Sequence, residues 1–450
     1  MDASFRAGGL ASGLDSNNII DTLVSLEKRP IDMLSKRQQA LKAQVSLLGD
    51  LASKLSSLST AAGNLQSKGV LALKASSSPT SFSVTPTTGG AAGRYSVEVT
   101  GLASAAKARS QAFATGDAPI TGGTLDLSVM GSNYQVTITD GMTLTEVATA
   151  INQSGAPVNA SVLASGTSHY LTLTNRDTGY PLTGAPGDAL GISMTTTGTQ
   201  GTALALGITQ QATNATFLVD GLPMTRTSNE VTGAIPGVTL SLKSLGAAED
   251  VVLGYDYEAT QKNLQAFVTA YNEVQALVQK QLAVKPESNR GAMLAGDAVV
   301  RNLQSTLQRI VSTTVPGLAT VRSLADLGVQ TSRDGSLTID TTKLQAAVAR
   351  EPGSVNALFG KATTGLGDVV EGLVDTFTDP VNGLITARKS GLNDNIRAMD
   401  SQLERLDARL AGYRQNLIRQ FAAMEQVVSG IKSIGNYLTN NPFPKIGGNE

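Results

Sequence analysis

Few side chains in this sequence could perform chemistry. The 450 residues include no cysteine and a single histidine, His169. Without cysteine there are no disulfides, no thiolate metal ligands and no thiol nucleophile. One imidazole beside Tyr170, in a strand-like stretch, assembles neither a Ser-His-Asp triad nor a three-ligand zinc site, since both need more convergent partners. A partly buried or hydrogen-bonded strand histidine is the simpler reading. The glycine pairs, such as Gly89-Gly90, lack the Gly-Lys-Ser/Thr ending of a phosphate loop, and no Gly-x-Ser-x-Gly elbow occurs. Asn175-Arg176-Asp177-Thr178-Gly179 offers oxygens that could attract calcium. It falls far short of an EF-hand loop, and Asn/Asp/Gly chemistry of this kind makes turns. Distant carboxylates can converge in any fold, but no pair stands out. The expectation is a protein that is not an enzyme and needs no cofactor and no metal.

Charge narrows the partners. Lys and Arg number 35 against 36 Asp and Glu, a net charge of −1. No basic excess drives counterion release, so nucleic acid is not an expected partner. Hydrophobic residues make up 41%, enough to build cores, while aromatics are 4% and tryptophan is absent. The cores must be aliphatic. The opening Met1-Asp2-Ala3-Ser4-Phe5-Arg6 is not a secretory signal, and no apolar run reaches the ~18 residues of a membrane span. A cysteine-free chain also suits passage from a reducing to an oxidising compartment.

The two ends read as helix and the middle as strand. Leu34, Leu41, Leu48 and Leu55 recur every seven residues, with Val24, Ile31 and Val45 at the companion heptad position. Gln38 and Ala52 interrupt that companion row. Pro30 predicts a break near Arg29, because the residue before proline avoids α geometry. The expectation is one helix over 17–28 and a second over 31–66. Near the C-terminus the seam is fuller. One row reads Leu392, Met399, Leu406, Tyr413, Gln420, Val427, Ile434; the other reads Ile396, Leu403, Leu410, Leu417, Met424, Ile431, Leu438. Charged residues fill the flanks, the pattern of a coiled coil. Such a helix would span about 70 Å and needs a partner, either the N-terminal helix or copies of itself.

Between the ends, Tyr95–Val99, Leu125–Val129, Tyr134–Ile138, Leu171–Thr174, Phe217–Val219 and Val238–Leu242 alternate with period two, as half-buried strands do. Asp220-Gly221 suggests a tight hairpin. Thr143 and Glu146 have capping-box spacing before a buried stripe of Leu144, Val147, Ala148 and Ile151. Thr195–Gly201 reads as a linker. The order implies one β-domain with a second, α/β module inserted into it. A mostly helical region follows, interrupted by a hairpin at Leu327–Thr331 and Leu337–Ile339 that turns on Asp334-Gly335.

The opening Gly8-Gly9-Leu10-Ala11-Ser12-Gly13-Leu14-Asp15-Ser16-Asn17-Asn18-Ile19-Ile20-Asp21-Thr22-Leu23-Val24, then Glu27-Lys28-Arg29-Pro30-Ile31, resembles the start of flagellar filament cap proteins, also called hook-associated protein 2. Gly93–Val99, Pro236–Lys243 and Leu327–Leu337 resemble the family's β-domain strands and helical-domain hairpin, in order along the chain. The Ser-Gly-Leu-Asp opening argues against the similarly laid out hook–filament junction proteins.

The resemblance implies a multidomain α+β protein. A helical coiled-coil leg would be formed by residues 1–40 and 415–450, and a helical domain with a β-hairpin by 41–74 and 257–414. Residues 75–112 and 208–256 would form a β-rich domain, and 113–207 an inserted β-rich α/β domain. It further implies a secreted structural cap at the flagellar tip, needed for filament elongation and motility. The cap would be a ring of about five or six copies with head-to-tail contacts. It would block flagellin loss and promote flagellin folding and insertion. The implied partners are flagellin, hook–filament junction proteins and a cytoplasmic export chaperone on the C-terminal helix, with host surfaces a further contact for an adhesin. Ser12, Gly13, Leu14, Asp15, Ile19, Ile20 and Leu23 are the expected assembly or export segment. Leu34, Leu41, Leu48, Leu55 and the C-terminal heptad residues are the expected seam.

Overall fold

A computed structural model describes residues 13–87, 89–285, 290–291 and 293–440. Helix α1 spans Ser16–Lys68, and the Asp15 carboxylate accepts from the Asn18 amide, satisfying one of the amides that a helix start leaves open. The two helices expected on either side of Pro30 are a single helix. An internal proline removes one amide donor and crowds the turn before it. Here Pro30 lies on an exposed face, where the carbonyl it orphans is open to solvent. Ile20 and Ile31, on either side of it, are buried, and packing of α1 along the C-terminal helix on both sides overrides the local preference.

Beyond α1 the chain forms β1 (Leu73–Ala75), β2 (Phe82–Pro86) and β3 (Gly93–Gly101). It then enters the inserted module: β4 (Lys107–Ser110), β5 (Gly123–Val129), β6 (Ser132–Ile138), α2 (Leu144–Gln153), β7 (Val158–Ser165), β8 (Ser168–Asn175), β9 (Leu190–Thr196) and β10 (Leu206–Gln210). It returns as β11 (Ala215–Val219), β12 (Leu222–Arg226), β13 (Glu230–Ile235), β14 (Val238–Leu242) and β15 (Gly246–Tyr255).

The first β-domain is a five-stranded sheet, β1-β15-β3-β11-β12, over a three-stranded one, β13-β14-β2. Their inward residues, among them Phe82, Val97, Val99, Phe217, Leu240 and Val251, form one core. The β11–β12 hairpin turns on Asp220 and Gly221, both at positive φ, as a tight two-residue hairpin requires. On β15, Glu249 accepts the amides of Thr80 (2.8 Å) and Ser81 (3.0 Å) and both hydroxyls, tying down the loop before β2. The Ser81 hydroxyl, then the two amides, hold its carboxyl down at about 2. A carboxyl lowered by folding adds stability above its unfolded value and loses it as pH falls through the folded one. The domain should therefore lose this contribution between pH 4.5 and about 2. Glu249→Gln should lower the neutral-pH melting temperature and flatten the acid dependence across that window. Coincident acid-unfolding curves for the two proteins, followed by circular dichroism, would count against this clamp.

The inserted module has sheets β10-β4-β8-β7 and β6-β5-β9, which share one core with the α2 stripe Leu144, Val147, Ala148 and Ile151. Thr143 and Glu146 form the capping box that the sequence predicted. The linker expected at Thr195–Gly201 is corrected. Its first two residues finish β9, which pairs along its length with β5. The rest is held by Asp140, whose carboxylate accepts the amides of Gly122, Thr199 and Gln200. Only Leu190 on β9 is buried, so its apolar alternation is faint in the sequence.

The helical region comprises α3 (Tyr257–Leu282), the short β16 (Val284–Lys285) and β17 (Arg290–Gly291), α4 (Ala298–Ser312), β18 (Val329–Thr331), β19 (Leu337–Ile339), α5 (Thr341–Arg350), α6 (Pro352–Gly360), α7 (Leu366–Thr378) and α8 (Leu384–Asn440). Leu48, Leu51, Leu55 and Leu58 of α1 are buried among residues of α3, α4, α6 and α7. Phe267 and Phe359 meet edge to face at 5.2 Å. The β18–β19 hairpin is pinned to α3 by Asn272, which exchanges two bonds with Leu337, and by Gln275, which donates to the Asp334 carbonyl.

Candidate functional site

No group of His, Cys, Asp and Glu among the described residues could hold a metal ion. No helix there is long and apolar enough to cross a membrane. His169 lies half-buried on β8; its backbone pairs with Phe113 in both directions, and its Nδ1 is enclosed without a partner. What remains is two extended features: the pairing of the terminal helices and the joint between the β-domains.

Helices α1 and α8 run antiparallel. Asp21 pairs with Arg414 at 2.8 Å, Glu27 with Arg409 at 3.6 Å, and Gln38 donates to Asp400. Exposed pairs of this kind contribute about 0.2–1 kcal/mol each, so they fix register more than stability. Arg409 and Arg414, two of the charged residues that flank the heptad rows, therefore bridge the two helices. Gln38, the polar break in the heptad, is buried and also accepts from Lys42, a polar seam position that specifies one register.

The seam residues divide by depth. Leu48 and Leu55 are fully buried, but in the core shared with α3, α4, α6 and α7 rather than in a seam with α8 alone. Leu392, Ile396 and Leu417 are buried, while Leu34, Leu41, Met399, Leu403, Leu406, Leu410, Tyr413 and Met424 are half-buried. Ile431 (64% exposed) and Leu438 (47%) are open, together with Val427, Ile434 and Tyr437. The register explains this, because Asp21 opposite Arg414 places Ser16 opposite roughly residue 420. The last 20 residues of α8, about 30 Å at 1.5 Å each, project past the start of α1, with Val427, Ile431, Ile434, Tyr437 and Leu438 exposed along them.

Of the expected assembly segment, Ser12 lies outside the described residues. Gly13, Leu14, Asp15 and Ile19 are exposed, Leu23 is half-buried and Ile20 is buried. Gly13 has φ +84 immediately before the helix start.

The joint was not foreseen. The segments entering and leaving the inserted module bridge at Ser104 and Thr213, whose amides and carbonyls bond mutually (2.9 and 3.3 Å) and whose hydroxyls meet at 2.8 Å. Asn229, from the first β-domain, exchanges two bonds with Ala103, at 2.7 and 2.8 Å. The Asn175–Gly179 segment is a turn that reaches the other domain. Thr178 Oγ1 donates to the Thr227 carbonyl (2.9 Å), the Gly179 amide to Ser104 (3.0 Å), and the Tyr180 amide to Asn214 Oδ1 (2.8 Å). Gly179 has φ +74, and a Cβ there would lie 2.4 Å from the Thr227 carbonyl oxygen. Only its turn chemistry is visible in the sequence; its target lies about 50 residues away.

The family description "Flagellar hook-associated protein 2 C-terminus" matches residues 212–433, and "Flagellar hook-associated protein 2 N-terminus" matches 12–106. "Flagellin hook IN motif" matches 124–177, the β5–β6–α2–β7–β8 stretch. The A-type flagellar hook-associated protein 2 of Pseudomonas aeruginosa is 31% identical, covering 95% of each chain. Flagellar hook-associated protein 2 of Escherichia coli K12 is 29% identical, covering 97% of this chain and 98% of its own. The crystal structure of the D1-D2-D3 domains of the Escherichia coli flagellar cap protein FliD shares the fold, with a TM-score of 0.62 and 24% identity over 77% of this chain and 99% of that one. With helical ends, a β-rich middle and a relative above 30% identity across nearly its whole length, the chain belongs to the flagellar hook-associated protein 2 family.

Proposed function

We propose that this protein is the structural cap at the distal end of a bacterial flagellar filament. Copies assemble into a ring, with the paired ends of α1 and α8 pointing into the filament as legs and the two β-domains forming a plate above. The ring blocks loss of flagellin and promotes its folding and insertion, so elongation and motility depend on it. The division into a leg (1–40 and 415–450), a helical domain (41–74 and 257–414), a β-rich domain (75–112 and 208–256) and an inserted domain (113–207) is part of this reading, and the three separate cores support it. Flagellin and the hook–filament junction proteins are its neighbours. An export chaperone covers the C-terminal helix before secretion.

The observation that carries this reading is the projecting end of α8. An apolar helical face that no described residue covers is the mark of a docking element rather than of a finished globule. Ile431 and Ile434 are both more than 60% exposed, so aspartate there removes no internal packing. Ile431→Asp with Ile434→Asp should melt like the wild type, be secreted, and leave cells unable to retain flagellin, with flagellin accumulating in the medium. Wild-type swimming by the double variant would rule the role out.

A further inference from the structure

Helix α1 carries a second apolar stripe that α8 leaves open. Ile20, Ile31 and Gln38 are buried on the side that faces α8. Ile19, Leu26 and Met33 recur every seven residues on another side and are exposed, Met33 by 65%. Arg29, Lys36 and Arg37 are exposed three or four residues from them, a spacing that puts side chains next to one another on a helix surface. This side of α1 is a short apolar row flanked by three cations. Among the described residues none of the three takes part in an ion pair.

Helix α8 has a stripe of the opposite charge. Asp400, Glu404, Asp407, Ala411 and Ile418 fall at helical spacing and are all exposed. Glu404 and Asp407 have no cationic partner among the described residues. Asp400 accepts from the Gln38 amide. The nearby arginines are engaged, Arg397 by Asp394 and Arg414 by Asp21. On α1, Lys28 and Asp32 border the same side, one charge of each sign.

At about 100° per residue, the open row of α1 stands roughly 120° from its row facing α8, and the acidic stripe of α8 roughly 90° from its row facing α1. The helices are right-handed and antiparallel, so these rotations carry the two stripes to opposite sides of the helix pair. The Asp21–Arg414, Glu27–Arg409 and Gln38–Asp400 contacts also fix relative height. One step up α1 matches one step down α8. Arg29 therefore stands level with Asp407, Lys36 with Asp400, Met33 with Leu403 and Glu404, and Ile19 with Leu417 and Ile418. Cations stand at the height of anions, and Ile19 at the height of Ile418.

We propose that the helix pairs of two copies pack side by side and parallel, the α1 stripe of one copy against the α8 stripe of the other. Arg29 and Lys36 of one copy face Asp407, Glu404 and Asp400 of the second, and Ile19 faces Ile418. Parallel copies with no axial shift bring all these matches into register at once, and a shift of one turn sets them apart. Opposed charge at such a contact steers encounter and fixes register, and salt screens it. The proposal rests on the ring reading above, which supplies parallel copies at one height.

The chain has no cysteine, so single introduced cysteines report contacts between copies without background. Full-length Ile19→Cys and full-length Ile418→Cys, mixed and assembled, should be joined by a short bis-maleimide about tenfold more than either variant alone. Adding Arg29→Glu with Lys36→Glu to the first chain should lower that yield about tenfold at low salt and leave its melting temperature unchanged. Adding Glu404→Lys with Asp407→Lys to the second chain should then restore it. Rings visible by electron microscopy with no cross-link above the single variants would overturn the contact and leave the ring reading standing. So would a cross-link indifferent to the reversals, or one that the compensating pair fails to restore. A wild-type chain that stays monomeric in sedimentation and forms no ring on filament tips would overturn the ring reading itself. If the reversals abolish binding to flagellin filaments while no cross-link between copies forms, the α1 stripe serves the filament and the proposal fails.

Discussion

Leu55→Ala will cost the helical domain about 3–5 kcal/mol, whereas Leu410→Ala will cost about 1 kcal/mol. Both leucines occupy heptad rows that look alike in the sequence. Leu55 is fully buried among α1, α3 and α7 side chains, and its removal leaves a cavity that close-packed neighbours cannot collapse. Leu410 is half-buried where α8 runs beside α1, with solvent on the other side. Truncation there removes contact area but creates no enclosed void. Urea unfolding of the full chain, followed by a probe in the helical domain, measures both. Equal destabilisation by the two substitutions would show that the α1–α8 pairing and the helical core are a single packed unit.

Gly179→Val will release the inserted module from its neighbour. A β-branched residue at φ +74 is strained by about 1–2 kcal/mol or more. Its Cβ would also collide with the Thr227 carbonyl and with Asn214 Oδ1, 2.4 and 2.5 Å away. The turn must withdraw and surrender the bonds from Thr178, Gly179 and Tyr180, so a loss of roughly 3 kcal/mol at the joint is expected. Amide exchange at Ser104, Gly179 and Tyr180 should accelerate at least tenfold, and small-angle scattering should show a broader distribution of domain separations. The β5–β6 hairpin, remote from the joint, should keep its protection. Unchanged exchange at Gly179 and Tyr180 would mean that the turn does not hold the domains together.

What could be read from the sequence was what depends on neighbours a few residues apart. The Thr143–Glu146 capping box, the Asp220-Gly221 and Asp334-Gly335 turns and the long C-terminal helix follow from local patterns, and they appear where they were expected. Pro30 misled because its local cost is real, while the packing that outweighs it, at Ile20 and Ile31, comes from α8 at the far end of the chain. Strand β9 was missed because glycine and threonine dilute its alternation. The joint was invisible because Asn214 and Asn229 are ordinary loop residues until folding places Ala103 and Tyr180 against them. The heptad rows also could not reveal depth. Leu55 and Leu438 carry the same signal, but one is enclosed and the other projects into solvent.

The pairing of early with late residues also sets an order of events. Ser104 meets Thr213, Leu73 meets Tyr255, and Asp21 meets Arg414. Each pair encloses the one before it, so the contacts form nested brackets in the sequence. A chain that appears N-terminus first can close the innermost bracket as soon as residue 213 is available, and the next at 255. The outermost waits until residue 414 arrives. Loop closure makes the same sequence favourable, since each inner structure, once formed, shortens the effective loop that the next must close. The pairing of α1 with α8 is therefore the last part of the molecule able to form, and while the chain is still arriving the N-terminal half of α1 is without the helix it will pair with.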